Sequence, residues 1–249
     1  MDLKELIVKR RSIRKYDMTP LEKRTLDDVA DIIEQTAPLI PGSGRFGFRV
    51  IGHDEFFENT KGMFRIAAPH YIVFFGDGTD DAYRNIGFVG ELVVLKLTDL
   101  GLGTCWLGGA TSKEMIDDNS YAISIAFGKP LEEFRRNRDE AKRRALNEIA
   151  EGFDDEQRSI LEYVRLAPSA VNYQPWYFRC EKGSIHVFRT KTGGIMSALA
   201  KSIRTMQKMD IGIALAHFTV SRFMYTRMDI DSGKMTYEGT LLFGNGDRN

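Results

Sequence analysis

Two stretches of this chain align without a gap: APLIPGSGRFGFRV, from Ala37 to Val50, and APSAVNYQPWYFRC, from Ala167 to Cys180. They share Ala-Pro at the start and Phe-Arg near the end, and lie 130 residues apart. A second pair, NIGFVGEL from Asn85 and DIGIALAH from Asp210, is separated by 125 residues. Two matches in the same order, each following a similar helical pattern, point to a duplicated unit of helix, turn, strands and helix. With 249 residues, 43% of them hydrophobic, the chain can bury one large core or two small ones. The repeat divides it at 1–150 and 151–249, two halves expected to pack as one compact body.

Local signals fill in each half. Asp2 with Glu5 makes a capping box for a first helix through Val8. Thr19 and Pro20 open a second helix, on which Leu26, Val29, Ile32 and Ile33 form an apolar stripe. RFGFRVI, HYIVFFG and YAISIAFG have the composition of strands, and NIGFVGELVVLKLTDLG that of a long buried helix closed by Gly101. The polar EEFRRNRDEAKRRALNEIAEG is expected to be a helical connector between the halves. The pattern then restarts. DDEQRSILEYVRLAP is an amphipathic helix, WYFRCEKGSIHVF a hairpin turning at Lys182 and Gly183, MDIGIALAHFTVSRFMY a second long buried helix and KMTYEGTLLF a closing strand.

Charge and motif content exclude several classes. Lys plus Arg and Asp plus Glu number 35 each, so no global cationic field attracts nucleic acid or an anionic membrane, and any anion site must be local. Met1 to Asp17 is charged, and no apolar run approaches the roughly 18 to 20 residues that cross a bilayer; the expected location is the cytoplasm. Cys105 and Cys180 stand far apart as free thiols. His53, His70, His186 and His217 lack metal-ligand spacing, so no metal site is expected, and neither a GxSxG elbow nor a phosphate loop of the GxxxxGK type occurs.

Four motifs together carry a resemblance: KRRSIRKYD near the N-terminus, GLGTCWLGG after the first buried helix, AKRRALNEI near the end of the first half, and LAPSAVNYQPW closing a helix in the second. In these the chain resembles the FMN-dependent nitroreductase and flavin reductase family, over most of its length. The resemblance implies an α+β fold, a mixed sheet flanked by helices and built from two interlocked half-units. Ordinary members carry all four motifs in one chain and exchange them across a homodimer; here the first half carries three and the second half the fourth. The sequence therefore looks like a single-chain branch in which a fused pseudo-dimer, monomeric as a chain, replaces the dimer. A twofold dimer must build two equivalent sites, whereas a fused chain need not. The first-half loop has Ser43 where the second has Tyr173, and lacks the amides and the Gln-Pro-Trp; one complete site and one degenerate site are expected.

By the same resemblance, Arg10, Arg11 and Ser12 grip the FMN phosphate and Arg14 reaches the pyrimidine edge of the flavin, roles that suit guanidinium groups. Leu107, Gly108 and Gly109 bring backbone N–H groups near flavin N5. Lys142, Arg143 and Arg144 close over the phosphate, with Arg136 and Arg138 as rivals. Pro168, Ser169 and Ala170 pass the flavin face with small side chains, while Asn172 and Gln174 offer amides to the ring or ribityl chain; Trp176 is expected to anchor the core instead. The implied activity is an oxidoreductase that moves hydride from NADH or NADPH through FMN to a small acceptor such as a nitroaromatic, a quinone or free flavin. No side chain need act as acid or base, because the flavin carries the chemistry. Alternatives are a specialised flavin reaction of the reductive dehalogenation type, or a non-catalytic or cofactor-free relic.

Overall fold

The computed structural model describes residues 1–62, 65–112, 121–181, 183–190 and 200–243, with backbone alone for 200–204. Helices are α1 (Leu3–Lys9), α2 (Lys23–Gln35), α3 (His53–Asn59), α4 (Asp80–Asp99), α5 (Leu146–Ile149), α6 (Asp155–Val164) and α7 (Ala200–His217). Strands are β1 (Phe46–Gly52), β2 (Thr60–Gly62), β3 (His70–Gly76), β4 (Gly103–Trp106), β5 (Ala110–Ser112) and β6 (Tyr121–Gly128) in the first half. β7 (Ala150–Glu151), β8 (Trp176–Glu181), β9 (Ser184–Arg189), β10 (Phe223–Thr226) and β11 (Thr236–Phe243) complete the set.

The strands form two large sheets, ordered β1-β3-β6-β4 and β10-β11-β9-β8-β7, with β2 and β5 paired separately. Each large sheet is traced in the same way. Two strands pair antiparallel, a long helix follows, the next strand takes the far edge, and the last inserts between that edge and the second strand. The second sheet carries one extra edge strand among the described residues, β7, which follows α5 and pairs parallel to β8.

The long helices α4 and α7 pack against each other between the sheets. Their crossing depends on two glycines, one in each of the aligned segments NIGFVGEL and DIGIALAH. A Cβ on Gly87 would run into the carbonyl oxygen of Met209, and a Cβ on Gly212 into that of Arg84. The largest core cluster accordingly draws from both halves, joining Ile72, Phe74, Val89 and Val93 to Trp176, Phe178, Ile213 and Leu215. Among the described residues, no helix is long and apolar enough to cross a membrane, and Cys105 and Cys180 are buried free thiols.

Several elements differ from their sequence patterns. Asp2 stands at the N-cap of α1, but its side chain makes no capping bond. The second helix starts at Lys23 rather than at Pro20; ahead of it, the Leu21 N–H donates to His70 Nε2 at 2.9 Å. The polar connector is not a helix: apart from a short 3-10 turn at Arg138–Glu140 and the single turn α5, it is extended or irregular. Its start is instead tied to the N-terminal stretch, Leu131 just ahead of it donating to Lys15 O and Arg135 to Lys9 O. The second long helix stops at His217, and Phe223–Thr226 leaves it to pair with β11, as its aromatic and β-branched residues favour. The hairpin of β8 and β9 forms as expected; Gly183 takes a left-handed φ of 77°, while Lys182 lies outside the described residues.

Candidate functional site

The N-terminal basic segment begins where α1 ends. Past Arg10 the chain runs extended beside β4, Ser12 bridging Thr104 and Ile13 N donating to Thr104 O at 2.9 Å. This extended course separates the arginines. Arg10 turns inward and is only 3% exposed, its Nε lying 3.5 Å from Glu91 Oε1. Arg11 donates to Glu133 O at 3.0 Å, and the exposed Arg14 donates to Ser12 O at 3.3 Å.

The segment 142–144 and the 168–174 loop, far apart in sequence, are clamped together by bonds between residues 29 or 30 positions apart. Asn172 accepts from Arg143 at 3.0 Å and donates to Lys142 O at 3.0 Å. Gln174 accepts from Arg144 N at 2.9 Å and donates to Asn172 O at 3.1 Å. The two amides, expected on a flavin, thus make their protein bonds to the basic segment and to each other. Gln174 is also buried, at 3% exposure. Arg143 further donates to Leu166 O at 3.1 Å, so the motif of one half is tied to the helix end of the other. The rivals Arg136 and Arg138 turn away, Arg136 to Glu133 and Arg138 to the Tyr163 hydroxyl.

The loop itself is strained. Val171, Asn172 and Gln174 have φ of 47°, 57° and 52°, left-handed values that are costly for a β-branched residue above all. Its support is Asp210 on α7, whose Oδ1 accepts from Ala170 N at 3.0 Å while the buried Oδ2 has no partner. Burial pushes this carboxyl up to about 8, against the opposing bond from Ala170. The corresponding first-half loop is held by Asn85, which accepts from Ile40 N at 2.9 Å and donates to Ser43 O at 2.8 Å. Pro168 is buried, Ser169 Oγ accepts from Gln174 N at 2.8 Å, and Trp176 is fully buried as a core anchor.

GLGTCWLGG forms β4 and the turn after it. Leu107 N donates to Ser124 O at 2.8 Å, so its N–H, expected near a flavin, is spent within the protein. Gly108 and Gly109 are exposed. A Cβ on Gly108 would press on Met206 Sδ of α7, which puts this turn too at the junction of the halves.

One carboxylate joins these pieces. Glu91, fully buried on α4, accepts from Trp106 Nε1 at 2.9 Å, faces His217 Nε2 at 3.1 Å and lies beside Arg10. Burial alone would raise it, but Arg10, His217 and the Trp106 bond outweigh burial and hold it below the usual carboxylate range. Sequence reasoning missed Glu91, His217, Arg135 and Asp210. The available signal was a charged residue in an otherwise apolar helix, as in GFVGELVVL and MDIGIAL.

Arg135 lies against the same place, donating to Ile7 O at 3.1 Å. Burial and the neighbouring Arg10 and Arg143 draw it down to about 9; burial and Arg10 draw Arg143 to about 10. The Nε atoms of Arg10, Arg135 and Arg143 are all buried without a hydrogen-bond partner. This is a buried cationic locus, tied through Arg143 to the strained 168–174 loop.

Comparison with known proteins bears on the fold and the family. Residues 2–222 match the family described as "Putative TM nitroreductase". A crystal structure of a "putative nitroreductase" from Thermotoga maritima superposes with a TM-score of 0.67 at 24% identity, covering 98% of this chain and 94% of that one. A nitroreductase family protein of Clostridium difficile 630 gives 0.49 at 22% identity, over 59% and 96% of the two chains. A protein of Clostridium difficile R20291 named an FMN-dependent nitroreductase gives 0.41 at 22%, over 61% and 92%. A search of curated proteins finds no match. With a family match spanning nearly the whole chain and a fold shared end to end with a solved relative, this protein belongs to the nitroreductase family.

Proposed function

We propose that this nitroreductase-family oxidoreductase binds one FMN per chain and uses it to pass hydride from NADH or NADPH to a small acceptor, a nitroaromatic, quinone or free flavin. The observation that carries the proposal is the group of buried arginines with unpartnered Nε atoms where the two halves meet. Unpaired buried donors are costly, and an anionic phosphate would satisfy them with charge-assisted bonds. Bound there, FMN would supply the hydride-accepting and hydride-donating chemistry itself.

The chain's own residues then hold and orient it. Arg10 and Arg143 take the phosphate end, while Arg11, Ser12 and Arg14 run along β4 from it toward the turn. Gly108 and Gly109 leave room for a planar group, and Gly108 and Gly109 N–H remain the backbone donors at that end. Lys142, Arg144, Asn172 and Gln174 act by fixing the two segments against each other, and Pro168, Ser169 and Ala170 carry the loop past the site. Glu91 steadies Arg10 and Trp106 at once.

The two halves are proposed to be a duplicated unit, 1–150 and 151–249, acting as a monomeric pseudo-dimer. Matching strand orders, matching glycines at the α4–α7 crossing, and the Ile40–Asn85 and Ala170–Asp210 bonds at matching positions support this. The test is anaerobic titration of the purified protein. It should be yellow and should bleach with NADH or NADPH, then regain colour on addition of a nitroaromatic or quinone. Protein that binds FMN but is not bleached by either nicotinamide would overturn the oxidoreductase assignment of the donor; protein that binds no flavin would overturn the cofactor.

A further inference from the structure

We infer that His217, which belongs to none of the sequence motifs, is a positioning residue for the turn after β4, acting through Glu91 and Trp106. The inference rests on the proposed flavin site in one respect, that Leu107 to Gly109 stand at its ring end; the contacts themselves depend on no ligand. His217 closes α7 in the second half, whereas the turn belongs to the first. Its ring is fully buried and engaged at both nitrogens. Nδ1 lies 3.0 Å from Tyr163 O near the end of α6, and Nε2 lies 3.1 Å from Glu91 Oε1 on α4. A carbonyl can only accept, so Nδ1 carries a hydrogen, as the last carbonyls of a helix favour. A carboxylate can only accept as well, and its neighbours hold Glu91 ionised, so Nε2 donates to Oε1.

That bond decides what the other carboxylate oxygen does. Glu91 Oε2 accepts from Trp106 Nε1 at 2.9 Å. The competitor is Arg10, whose Nε stands 3.5 Å from Oε1 and makes no hydrogen bond. A guanidinium free to close on a carboxylate takes both oxygens with parallel bonds. His217 on Oε1 stands in the way of that pairing, and Oε2 remains for the indole. Trp106 is the last residue of β4. Its ring lies against α4 at Gly90, where a Cβ would run into the indole, and the next residue, Leu107, donates its N–H to Ser124 O at 2.8 Å. The turn is thus hung between the sheet and α4, and a histidine from the other half sets the attachment to α4.

The test compares two amides in the full chain. The side-chain nitrogen of a glutamine falls where Nε2 stands and that of an asparagine where Nδ1 stands, so His217→Gln can keep the bond to Glu91 and His217→Asn only the bond to Tyr163. Both vacate a buried ring and should lose similar stability. With two tryptophans in the chain, the indole N–H resonance of Trp106 is assigned by Trp106→Phe. His217→Asn should move that resonance and speed its exchange with water, while His217→Gln should keep it close to parental. With FMN bound, His217→Asn should slow bleaching by saturating NADH or NADPH on the order of tenfold, the worth of about one hydrogen bond of positioning, and His217→Gln by no more than about threefold. An indole signal unmoved in both variants, or moved equally in both, would overturn the inference, as would bleaching equally fast in the parent and both variants. Should neither variant fold, the parent with isotope-labelled histidine decides: both ring hydrogens of His217 should exchange slowly with water, and one that exchanges freely would overturn the inference. A parent that binds no FMN, while His217→Asn alone displaces the indole signal, would keep the positioning role and refute the flavin reading.

Discussion

Asp210 and Asn85 occupy matching places on the two long helices, and each holds the loop that precedes its sheet, yet only one of them can ionise. Asn85 is satisfied at both ends by the 40–44 backbone. Asp210 uses one oxygen and leaves the other buried and alone, and burial lifts its folded pKa to about 8 from an ordinary 3.8. Between those values the unfolded chain loses a proton that the folded chain keeps, so this residue's contribution to stability is full below about pH 4, falls as pH rises, and levels off above about pH 8. Asp210→Asn removes the titration while supplying the residue the first half uses. Parent and variant should melt at similar temperatures near pH 4, with the variant gaining steadily up to pH 8; melting curves that stay parallel across that range would show Asp210 to be unperturbed. At this scale the sequence was legible for Trp176, expected as a core anchor and fully buried at the start of β8. Glu91 and Asp210 left only the trace of a charge in an apolar helix, and Arg135 left none, since their partners lie far away in the chain and no local pattern names them.

The elements were read best where periodicity is strong and self-sufficient. β1, β3, β6, α4, α6 and the β8–β9 hairpin all fall where alternation, length and turn residues put them. The polar segment before α5 went the other way: its charges have helical composition, but the N-terminal stretch engages them, the Glu132 carboxylate accepting from Arg14 N and Lys15 N, Glu133 O from Arg11, and Arg135 N donating to Lys9 O. The glycine shared by NIG and DIG has a physical role that composition could not give: it is the crossing point of α4 and α7. Gly87→Ala would press a methyl group on the Met209 backbone, and Gly212→Ala one on Arg84, with no flexible side chain to yield. Each should destabilise the fold by roughly 3 kcal/mol, the upper range for overpacking, and the double variant should lose less than the sum, since one separation of the helices relieves both. Gly52→Ala, at a position with no atom within 4 Å of the added carbon, serves as control. Full additivity of the helix variants in chemical denaturation would mean that the two contacts are independent, contrary to a single crossing.

Across the whole molecule, the two ends of the repeat are physically unlike. Where Arg10, Arg135 and Arg143 meet, positive charge is in excess. At the corresponding place on the other side, the turn after β10 brings Arg227 to Asp81 on α4, as the turn after β4 brings Gly108 to Met206 on α7. Around that contact, Ser43 donates to Asp81 at 2.7 Å, Arg84 pairs with both Asp81 and the buried Glu238, Arg189 meets Glu238 at 2.7 Å, and Lys208 pairs with Asp80. Acid and base are nearly balanced there, so no anion is called for. A buried network of this kind is costly to open, because removing one partner strands the others. The chain should therefore bind one FMN and not two, as a monomer whose own halves supply both walls of the site. Flavin released by denaturation, measured against protein mass, should approach one per chain, with the native mass in solution that of a single chain. Arg227→Ala should lower stability and leave that ratio unchanged. A ratio near two would show that the ion-paired side yields to a second flavin, and a ratio near one in an obligate dimer that comes apart on losing FMN would place the second wall in another copy of the chain.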